Sequence, residues 1–197
     1  MKLILALSLA LCVSTADAKP HKTLHDRAVR WEGTTDLDML KQVRADLDSA
    51  VKDHVKTLRV FLVSPGGPVI TSLEIARLVR DTSDQTGLVI EIHASAICAS
   101  GCTFVLASGT PGHRFISHWA LFLVHPPQQG GECVKRVADP QTPDEKVSDV
   151  LLDLMRDHYV RYTGALPSEA EAWITCGNEQ VGNGDLAYKL NMADASE

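Results

Sequence analysis

The sequence predicts an α/β fold in which helices pack on a largely parallel sheet. Apolar, β-rich runs alternate along the chain with segments whose apolar residues recur at helical spacing. Such alternation is typical of strand–helix–strand units. The 197 residues are 45% hydrophobic and 22% charged, a composition typical of a single globular domain that is long enough to bury a core.

The first elements of this pattern lie before residue 53. Residues 19–33 are polar and form either a loose arm or a first edge strand. A helix is expected to start at Thr35-Asp36-Leu37-Asp38, with Thr35 as its cap. Its apolar residues recur at helical spacing: Leu37, Leu40, Val43, Leu47 and Val51.

Two buried strands are expected next, each followed by a helix. The first strand, Leu58 to Val63, enters a turn at Ser64-Pro65-Gly66-Gly67, and its helix runs from Pro68 to about Arg80. The second strand runs from Leu88 to His93. Its helix is built of small residues and extends through Ala107.

The rest of the chain predicts one more strand and one long helix. The strand covers Trp119 to Val124, and a loop follows over Gln128 to Asp139. Thr142-Pro143-Asp144-Glu145 forms a capping box for a helix that runs from Pro143 to Tyr162 and ends at Gly164.

Charge and hydropathy argue against two classes of function. The formal net charge is −6 and no basic run occurs, whereas phosphate contacts require clustered Lys and Arg. No window reaches the roughly 18 to 20 consecutive apolar residues of a membrane span. We therefore expect no nucleic-acid partner and no membrane-spanning segment.

The N-terminus has the pattern of a secretory signal peptide, residues 1–18. A positive start at Met1-Lys2 precedes an apolar run from Leu3 to Val13 and an A-x-A site at Ala16-Asp17-Ala18. We expect cleavage after Ala18, residues 19–197 as a single exported domain, and the bacterial periplasm as its destination. Cys12 follows a leucine instead of a small residue, so plain export is favoured over lipid attachment.

Four cysteines remain after this cleavage: Cys98, Cys102, Cys133 and Cys176. In an oxidising compartment an even number of cysteines indicates disulfides, and four allow three connectivities. A zinc site would require two close-spaced pairs, whereas Cys133 and Cys176 lie far apart in the sequence. The favoured pairing is Cys98–Cys102 with Cys133–Cys176, and free buried cysteines are the alternative.

Two predicted turns contain groups that could take part in catalysis. The glycines of Ser64-Pro65-Gly66-Gly67 let backbone N–H groups point outward, where they can stabilise an oxyanion, although the segment can also be a plain turn. Ser100 lies at a strand-to-helix turn, where a nucleophile is exposed. Because Cys98 replaces the first glycine of the G-x-S-x-G pattern, a helix-capping serine remains the alternative.

His125 is the candidate base, because it follows a strand and precedes two prolines that stiffen the backbone. A structural or solvated histidine is the alternative. His113 and His118 lie nearby in the sequence and raise the possibility of a metal cluster. Their spacing does not match the common helical zinc pattern.

Taken in order, these segments resemble the Clp protease proteolytic subunit (ClpP) family of the ClpP/crotonase superfamily. The matching segments are Ser64-Pro65-Gly66-Gly67, Ala99-Ser100-Gly101 with the helix to Gly109, and Val124-His125-Pro126. The resemblance covers roughly Leu37 to His125. Cys98-Ala99-Ser100-Gly101-Cys102-Thr103 is also similar to the C-A-S-x-C-T segment of exported bacterial ClpP-like proteins.

The resemblance implies a ClpP/crotonase-like spiral of repeated β-β-α units and a serine peptidase. Ser100 would attack the substrate carbonyl, His125 would take the proton, and the N–H groups of Gly67 and Gly101 would hold the oxyanion. It implies no cofactor and no metal. It also implies peptide or unfolded-protein substrates and a homo-oligomer of unspecified order, with the long helix as the handle that carries subunit contacts.

The third member of the triad is the weakest match. Glu171 stands at the family's acid position, before Trp173-Ile174-Thr175, but Ser168 to Glu171 also reads as a capping box. Glu179 and Asp185 are further candidates. Pro126-Pro127 is another departure, since the family has a polar residue before its proline.

Two other functions stay open at this stage. A catalytically inactive ClpP-like domain would bind peptides or partner proteins, since fold alone does not establish function. A crotonase-type acyl-CoA enzyme shares the fold, but coenzyme A is not expected outside the cytoplasm. Export would also separate the chain from the cytosolic ATP-driven unfoldase that feeds ClpP.

Overall fold

A seven-stranded sheet organises residues 26–197, the part of the chain that the computed structural model describes. The expected signal peptide, residues 1–18, lies outside the described residues. The strands are β1 (Asp26–Glu32), β2 (Thr57–Ser64), β3 (Val89–Ala99), β4 (Arg114–Ile116), β5 (Leu121–Val124), β6 (Gln128–Gln129), β7 (Glu132–Cys133), β8 (Gln180–Gly182) and β9 (Ala195–Ser196). The helices are α1 (Leu37–Lys52), α2 (Val69–Thr86), α3 (Gly101–Ala107), α4 (Pro143–Thr163), α5 (Pro167–Trp173) and α6 (Gly184–Lys189).

The sheet is parallel except for one pair. Its order is β1-β2-β3-β4-β9, with β5 beside β3 and β8 beside β5, and only β5 and β8 run antiparallel. One face is buried: Leu58, Val60 and Leu62 of β2 are all inaccessible to solvent, and the residues between them are not. The predicted α/β class, with a largely parallel sheet and flanking helices, is confirmed.

β3 is longer than the sequence suggested, because it serves two neighbours. Its first part pairs with β4 at residues 92–94, and its last part pairs with β5 at residues 97–99. Between the two parts, Ala96 has a positive φ of 59°. This bend lets one strand continue to Ala99, six residues beyond the predicted end at His93.

The structure defines the first strand and the residue that caps the first helix. Residues 26–32 form an edge strand beside β2, which is one of the two alternatives for residues 19–33. Residues 19–25 lie outside the described residues. The cap of α1 is Asp36 and not Thr35, since an Asp36 carboxylate oxygen accepts from the N–H groups of Asp38 and Met39. Thr35 is fully buried, and its hydroxyl hydrogen-bonds Ser72 at 2.6 Å.

Three later segments also refine the expectations. α2 continues to Thr86 instead of ending near Arg80, and the expected loop after His125 contains the small β6–β7 hairpin. The capping box predicted from Ser168 to Glu171 is wrong. Pro167 begins α5, and Glu169 accepts a hydrogen bond from the Leu166 N–H.

α4 forms as predicted. The Thr142 hydroxyl accepts from the Glu145 N–H at 3.2 Å, and the Glu145 carboxylate accepts from the Thr142 N–H at 2.9 Å. This reciprocal capping box satisfies donors that the first turn of a helix would otherwise leave unpaired. The helix ends at Gly164, whose N–H donates to Val160.

The cysteines lie in the two pairs favoured from the sequence. The Cα atoms of Cys98 and Cys102 are 5.2 Å apart, and those of Cys133 and Cys176 are 6.0 Å apart, with both pairs disulfide-bonded. Both distances fall within the usual range for a disulfide. The first bond brackets the start of α3, and the second ties the hairpin to the segment after α5.

A charged cluster lies on the less buried face of the sheet. The Glu91 carboxylate of β3 accepts from Arg59 Nε at 2.5 Å and pairs with His93 Nε2 at 2.8 Å. Burial alone would raise the pKa of Glu91, but the hydrogen bonds from Arg59 and His93 outweigh it and lower that pKa to about 2. The ionised carboxylate therefore stabilises the folded state.

We predict that Glu91→Gln changes the pH dependence of stability. The folded pKa lies below the ordinary value of 4.5, so the Glu91 contribution is complete above about pH 4.5 and is lost as the pH falls towards 2. In urea unfolding, wild type should exceed the variant by up to about 3 kcal/mol at pH 7, and the difference should shrink in acid. Glu132→Gln, at an exposed hairpin residue, is the control; a difference that stays constant with pH contradicts the assignment.

Candidate active site

Ser100 lies on a sharp turn between β3 and α3. Its φ of 54° and ψ of −125° are uncommon for a residue with a side chain and resemble the strained elbow that exposes a nucleophile. Its N–H donates to the Leu123 carbonyl of β5 at 2.8 Å, and its own carbonyl accepts from the Thr103 hydroxyl at 2.6 Å. The Ser100 side chain makes no capping hydrogen bond, so it is not used as a helix cap.

The glycine turn after β2 packs directly against this elbow. Gly66 has a φ of +93°, and a Cβ added there would lie 2.6 Å from both the Ala99 carbonyl oxygen and Ser100 Cβ. Side chains rarely adopt such a φ and cannot occupy that space. Glycine at this position therefore allows the two turns to touch.

Buried hydroxyls hold the two turns together. Thr35 Oγ1 and Ser72 Oγ are 2.6 Å apart, and the Ser72 hydroxyl also lies 2.9 Å from the Pro68 carbonyl oxygen, which accepts from it. The Thr35 N–H donates to Gly66 at 3.0 Å. These bonds join the start of α1 and the first turn of α2 to the glycine turn, so three segments position it.

Ser100 and His125 line the same cavity. Its volume is about 180 Å³, and its wall includes Gly67 from the glycine turn. Gly101 is the first residue of α3, where backbone N–H groups have no intrahelical partner. The structure thus places the predicted nucleophile, base and Gly67 around one cavity, with Gly101 directly after the nucleophile.

The His125 ring is held by the backbone. Its Nδ1 lies 2.6 Å from the Pro126 carbonyl oxygen. A carbonyl oxygen only accepts hydrogen bonds, so Nδ1 must carry the proton of the neutral ring and Nε2 is left as the basic atom. This is the tautomer that a general base requires.

The carboxylates considered for the third position have other hydrogen-bond partners. Glu179 immediately precedes β8, whose Gln180 pairs with Val124 of β5, so it lies across from His125. Glu171 pairs with Arg136 at 2.9 Å and lines a separate cavity of about 320 Å³ beside Cys176. Asp185 pairs with His118 at 3.0 Å, and Glu179 accepts from the Gly177 N–H. Within residues 26–197 no hydrogen bond joins any of these three to His125, and the role of Glu171 stays a prediction.

Sequence reasoning missed the residues that close the cavity. Its apolar wall is formed by Val69, Phe104, Met155 and Tyr159. The buried Tyr159 hydroxyl is 2.8 Å from Thr103 Oγ1, and burial raises the pKa of Tyr159. Met155 and Tyr159 lie on α4, which the sequence predicts as a helix without placing it beside Ser100. The one sequence feature that could have indicated this contact is Thr103, a polar residue three positions after the serine in an otherwise apolar helix.

The remaining histidines have other partners. His113 lies 3.6 Å from Glu91, and His158 is buried with Nε2 3.1 Å from the Phe104 carbonyl oxygen. Burial lowers the pKa of His158 to about 3, so the ring is neutral at pH 7. In the described part of the chain, no group of three or more His, Cys, Asp or Glu side chains is arranged to hold a metal ion.

None of the helices described between residues 26 and 197 is long and apolar enough to cross a membrane.

We predict that Gly66→Ala disrupts the site and destabilises the fold by about 2–5 kcal/mol, because the added methyl group meets both an unfavourable φ and the elbow. Gly112→Ala is the matched control, since Gly112 has a φ of +85° with nothing within 4 Å of the added Cβ. That control should cost about 1–2 kcal/mol. Urea unfolding measures both, and equal losses would contradict the proposed contact.

Known proteins have sequences similar to that of this chain. The sequence profile of the Clp protease family matches residues 15–170. The ATP-dependent Clp protease proteolytic subunit of Leuconostoc citreum (strain KM20) is 30% identical over 112 residues, which are 56% of this chain and 54% of that protein.

Two further relatives give similar values. The ATP-dependent Clp protease proteolytic subunit 2 of Bifidobacterium longum (strain NCC 2705) is 29% identical over 114 residues, 56% of this chain and 52% of that protein. The proteolytic subunit 3 of Streptomyces avermitilis is 28% identical over 110 residues, 56% and 48% of the two chains. The match spans about half the length of these curated relatives. With the family profile covering most of its length, the chain belongs to the Clp protease family.

Proposed function

We propose that the chain is an exported serine hydrolase, a ClpP-like peptidase that uses Ser100 and His125. The observation that supports the proposal is the Ser100 elbow: the residue has a positive φ and lines the same cavity as His125. Strain of this kind persists where the surrounding structure holds it, and it concentrates at functional sites.

Each group has a place in acyl transfer. His125 Nε2 takes the proton from Ser100 Oγ as that oxygen bonds to the substrate carbonyl carbon. The N–H groups of Gly67 and Gly101 donate to the oxyanion that forms. His125 then protonates the leaving amine, and a water molecule releases the acyl group from Ser100 by the same steps in reverse.

The cavity favours a small or medium apolar side chain beside the scissile bond. Its wall combines Val69, Phe104, Met155 and Tyr159 with the catalytic groups, and its volume is about 180 Å³. The relatives are named ATP-dependent proteolytic subunits, but an exported chain would work without a cytosolic unfoldase. Short peptides and unfolded segments are therefore the proposed substrates.

Export is supported by the cysteines as well as by the signal-like N-terminus. Both cysteine pairs are disulfide-bonded, and such bonds persist in oxidising compartments such as the periplasm. The mass of the protein purified from a periplasmic extract tests this part of the proposal. Loss of residues 1–18 is expected, and retention of Met1 in that fraction contradicts the proposed cleavage.

A binding protein without catalysis is the second candidate. The observation in its favour is that, among the described residues, no carboxylate hydrogen-bonds the His125 ring. Such a protein would hold a peptide in the same cavity without cleaving it. The alternative and the peptidase differ in whether Ser100 is activated, and this can be measured directly.

We predict that purified protein reacts with a fluorophosphonate probe, in which Ser100 Oγ displaces fluoride from phosphorus and His125 accepts the proton. Ser100→Ala should abolish labelling, and His125→Ala should slow it by about 100-fold or more. Ser95→Ala, at an exposed serine of β3, should label like wild type. Folded wild type that takes no label supports the binding protein instead, and labelling that survives Ser100→Ala excludes Ser100.

We also propose that α4 carries contacts between copies of the chain. Val147, Val150 and Leu154 recur on one side of the helix and are 66%, 57% and 44% exposed. Apolar side chains at such spacing on a helix surface suit burial against a partner. A second copy is the occupant that we propose, because the matched relatives are named as subunits.

We predict that light scattering finds a mass that is a multiple of the monomer mass. Val150→Glu should shift it towards the monomer, because a buried unpaired carboxylate is costly. Val181→Glu, at a 63% exposed valine on the edge strand β8, should leave the mass unchanged. A monomeric wild type, or dissociation by Val181→Glu alone, contradicts an α4 interface.

A further inference from the structure

We propose that the Cys98–Cys102 disulfide holds the Ser100 elbow in its observed conformation, so that the nucleophile is fully positioned only in the oxidised chain. The inference rests on the proposed function and adds a means of regulating the same site. Cys98 and Cys102 are positioning residues, because they act only through Ser100.

The bond closes a short loop around the nucleophile. The two cysteines are 4 positions apart, so Ser100 is the middle residue of the loop. Cys98 belongs to β3 and Cys102 is the second residue of α3, and their Cα atoms are 5.2 Å apart. The end of the strand and the start of the helix therefore cannot move apart while the bond is intact.

The conformation of Ser100 requires such support. Its φ of 54° is uncommon for a residue with a side chain, and a strained backbone persists only where its surroundings hold it. Gly101 follows directly, and glycine gives a chain its widest choice of backbone angles. Because the disulfide spans both residues, it restricts the elbow where the local sequence restricts it least.

One side of the elbow is fixed by the sheet. Cys98 is paired with Ser64 of β2 and with Phe122 of β5. On the other side, α3 has only 7 residues, a length at which a helix depends on its contacts for stability. The disulfide therefore ties the first turn of α3 to a residue that two neighbouring strands hold in place.

The two disulfides differ in what they restrict. A disulfide stabilises a fold mainly by restricting the unfolded chain, and this effect grows with the length of the closed loop. Cys133 and Cys176, the long disulfide, are 43 positions apart, against 4 for Cys98 and Cys102, the short disulfide. We therefore expect the long disulfide to contribute more to the free energy of unfolding, and the short one to act on the native elbow.

Oxidation after export would complete the site. Two thiol S–H bonds break, the bond between the two Sγ atoms forms, and two electrons and two protons pass to the disulfide of an oxidant, which leaves as two thiols. The cytoplasm keeps thiols reduced, so a chain that folds there lacks this restraint. Cys98 and Cys102 are both fully buried, where a reductant has little access, so the site stays assembled once the bond has formed.

Amide hydrogen exchange tests the inference without reference to activity. Mature protein with Cys133→Ala and Cys176→Ala retains the short disulfide, and we would compare its oxidised form with the form refolded under a dithiol. The amides of Ser100 and Thr103 are hydrogen-bonded at the elbow, and their exchange should be about tenfold faster or more in the reduced form. The Ile92 amide, bonded earlier in β3, should not change. Equal exchange at the elbow in both forms, or faster exchange at all three amides, overturns the proposal.

The rate of fluorophosphonate labelling gives the second test. In the same protein, reduction should lower the rate at saturating probe by roughly tenfold, because small misplacements of a reacting group are costly. The probe concentration that gives half of this rate should stay within about twofold, since the apolar wall of the cavity lies outside the loop. Re-oxidation should restore the rate. A general loss of stability would instead lower the fraction of protein that labels, and urea unfolding of each form measures that loss.

A second variant keeps the inference testable if the first does not fold. Oxidised protein with Cys98→Ala and Cys102→Ala lacks the short disulfide and keeps the long one, and it should label as slowly as the reduced form. Val105→Ala is the control, since it removes a buried side chain of the same helix and leaves the bond intact. Its rate should stay within about twofold of wild type, and equal slowing in both proteins would assign the effect to lost packing instead of the bond.

The outcomes separate this inference from the proposed function. A labelling rate that stays within about twofold of the oxidised value after loss of the short disulfide overturns its role at the nucleophile and leaves the peptidase intact. Oxidised wild type that takes no label overturns the peptidase, whereas hydrogen exchange still decides whether the bond holds the elbow.

Discussion

Where the turn after β2 meets the elbow after β3, a single added methyl group on Gly66 would lie 2.6 Å from backbone oxygen. The two strands are parallel neighbours, so their carboxyl ends meet at one edge of the sheet. The buried Thr35–Ser72 hydrogen bond then ties two helices to the same point. Buried hydroxyls need partners, so this contact and these bonds favour one arrangement of the Ser100 backbone.

α4 is coupled to that elbow through polar contacts. Tyr159 reaches Thr103, whose hydroxyl donates to the Ser100 carbonyl, and His158 meets the Phe104 carbonyl. Both side chains are nearly inaccessible to solvent, so each bond satisfies a group that water cannot reach. α4 therefore forms part of the cavity wall and also supports the nucleophile. A shift of this helix would change the position of the Ser100 backbone.

The two halves of the candidate centre are held by different means. Ser100 is positioned by the sheet and by close packing of glycines. His125 is positioned by its own backbone, in a segment that ends at the disulfide between Cys133 and Cys176. Of the three acidic candidates, Glu171 and Asp185 form ion pairs with Arg136 and His118, whereas Glu179 lies beside the end of β5.

Local patterns in the sequence determined much of this protein. The capping box of α4, the helical spacing of apolar residues, the glycine turn and the strand-to-helix serine each depend on neighbours within a few positions, and all were predicted at the right places. The favoured cysteine pairs were also correct, although the sequence could not exclude the other connectivities. The α/β class followed from the order of these elements.

Contacts between residues far apart in the sequence determined the features that were predicted wrongly or left open. Local rules allowed Thr35 as the cap of α1, but its hydroxyl hydrogen-bonds Ser72, 37 positions away. Asp36 caps the helix instead. The Ser168 capping box failed because Pro167 starts α5 and Glu169 caps the Leu166 N–H. Glu171 could be placed near the base by motif alone, yet its partner is Arg136, 35 positions away. Local sequence determines which residues can form a turn or cap a helix. Only the folded arrangement of sheet and helices determines which charged and polar side chains come into contact.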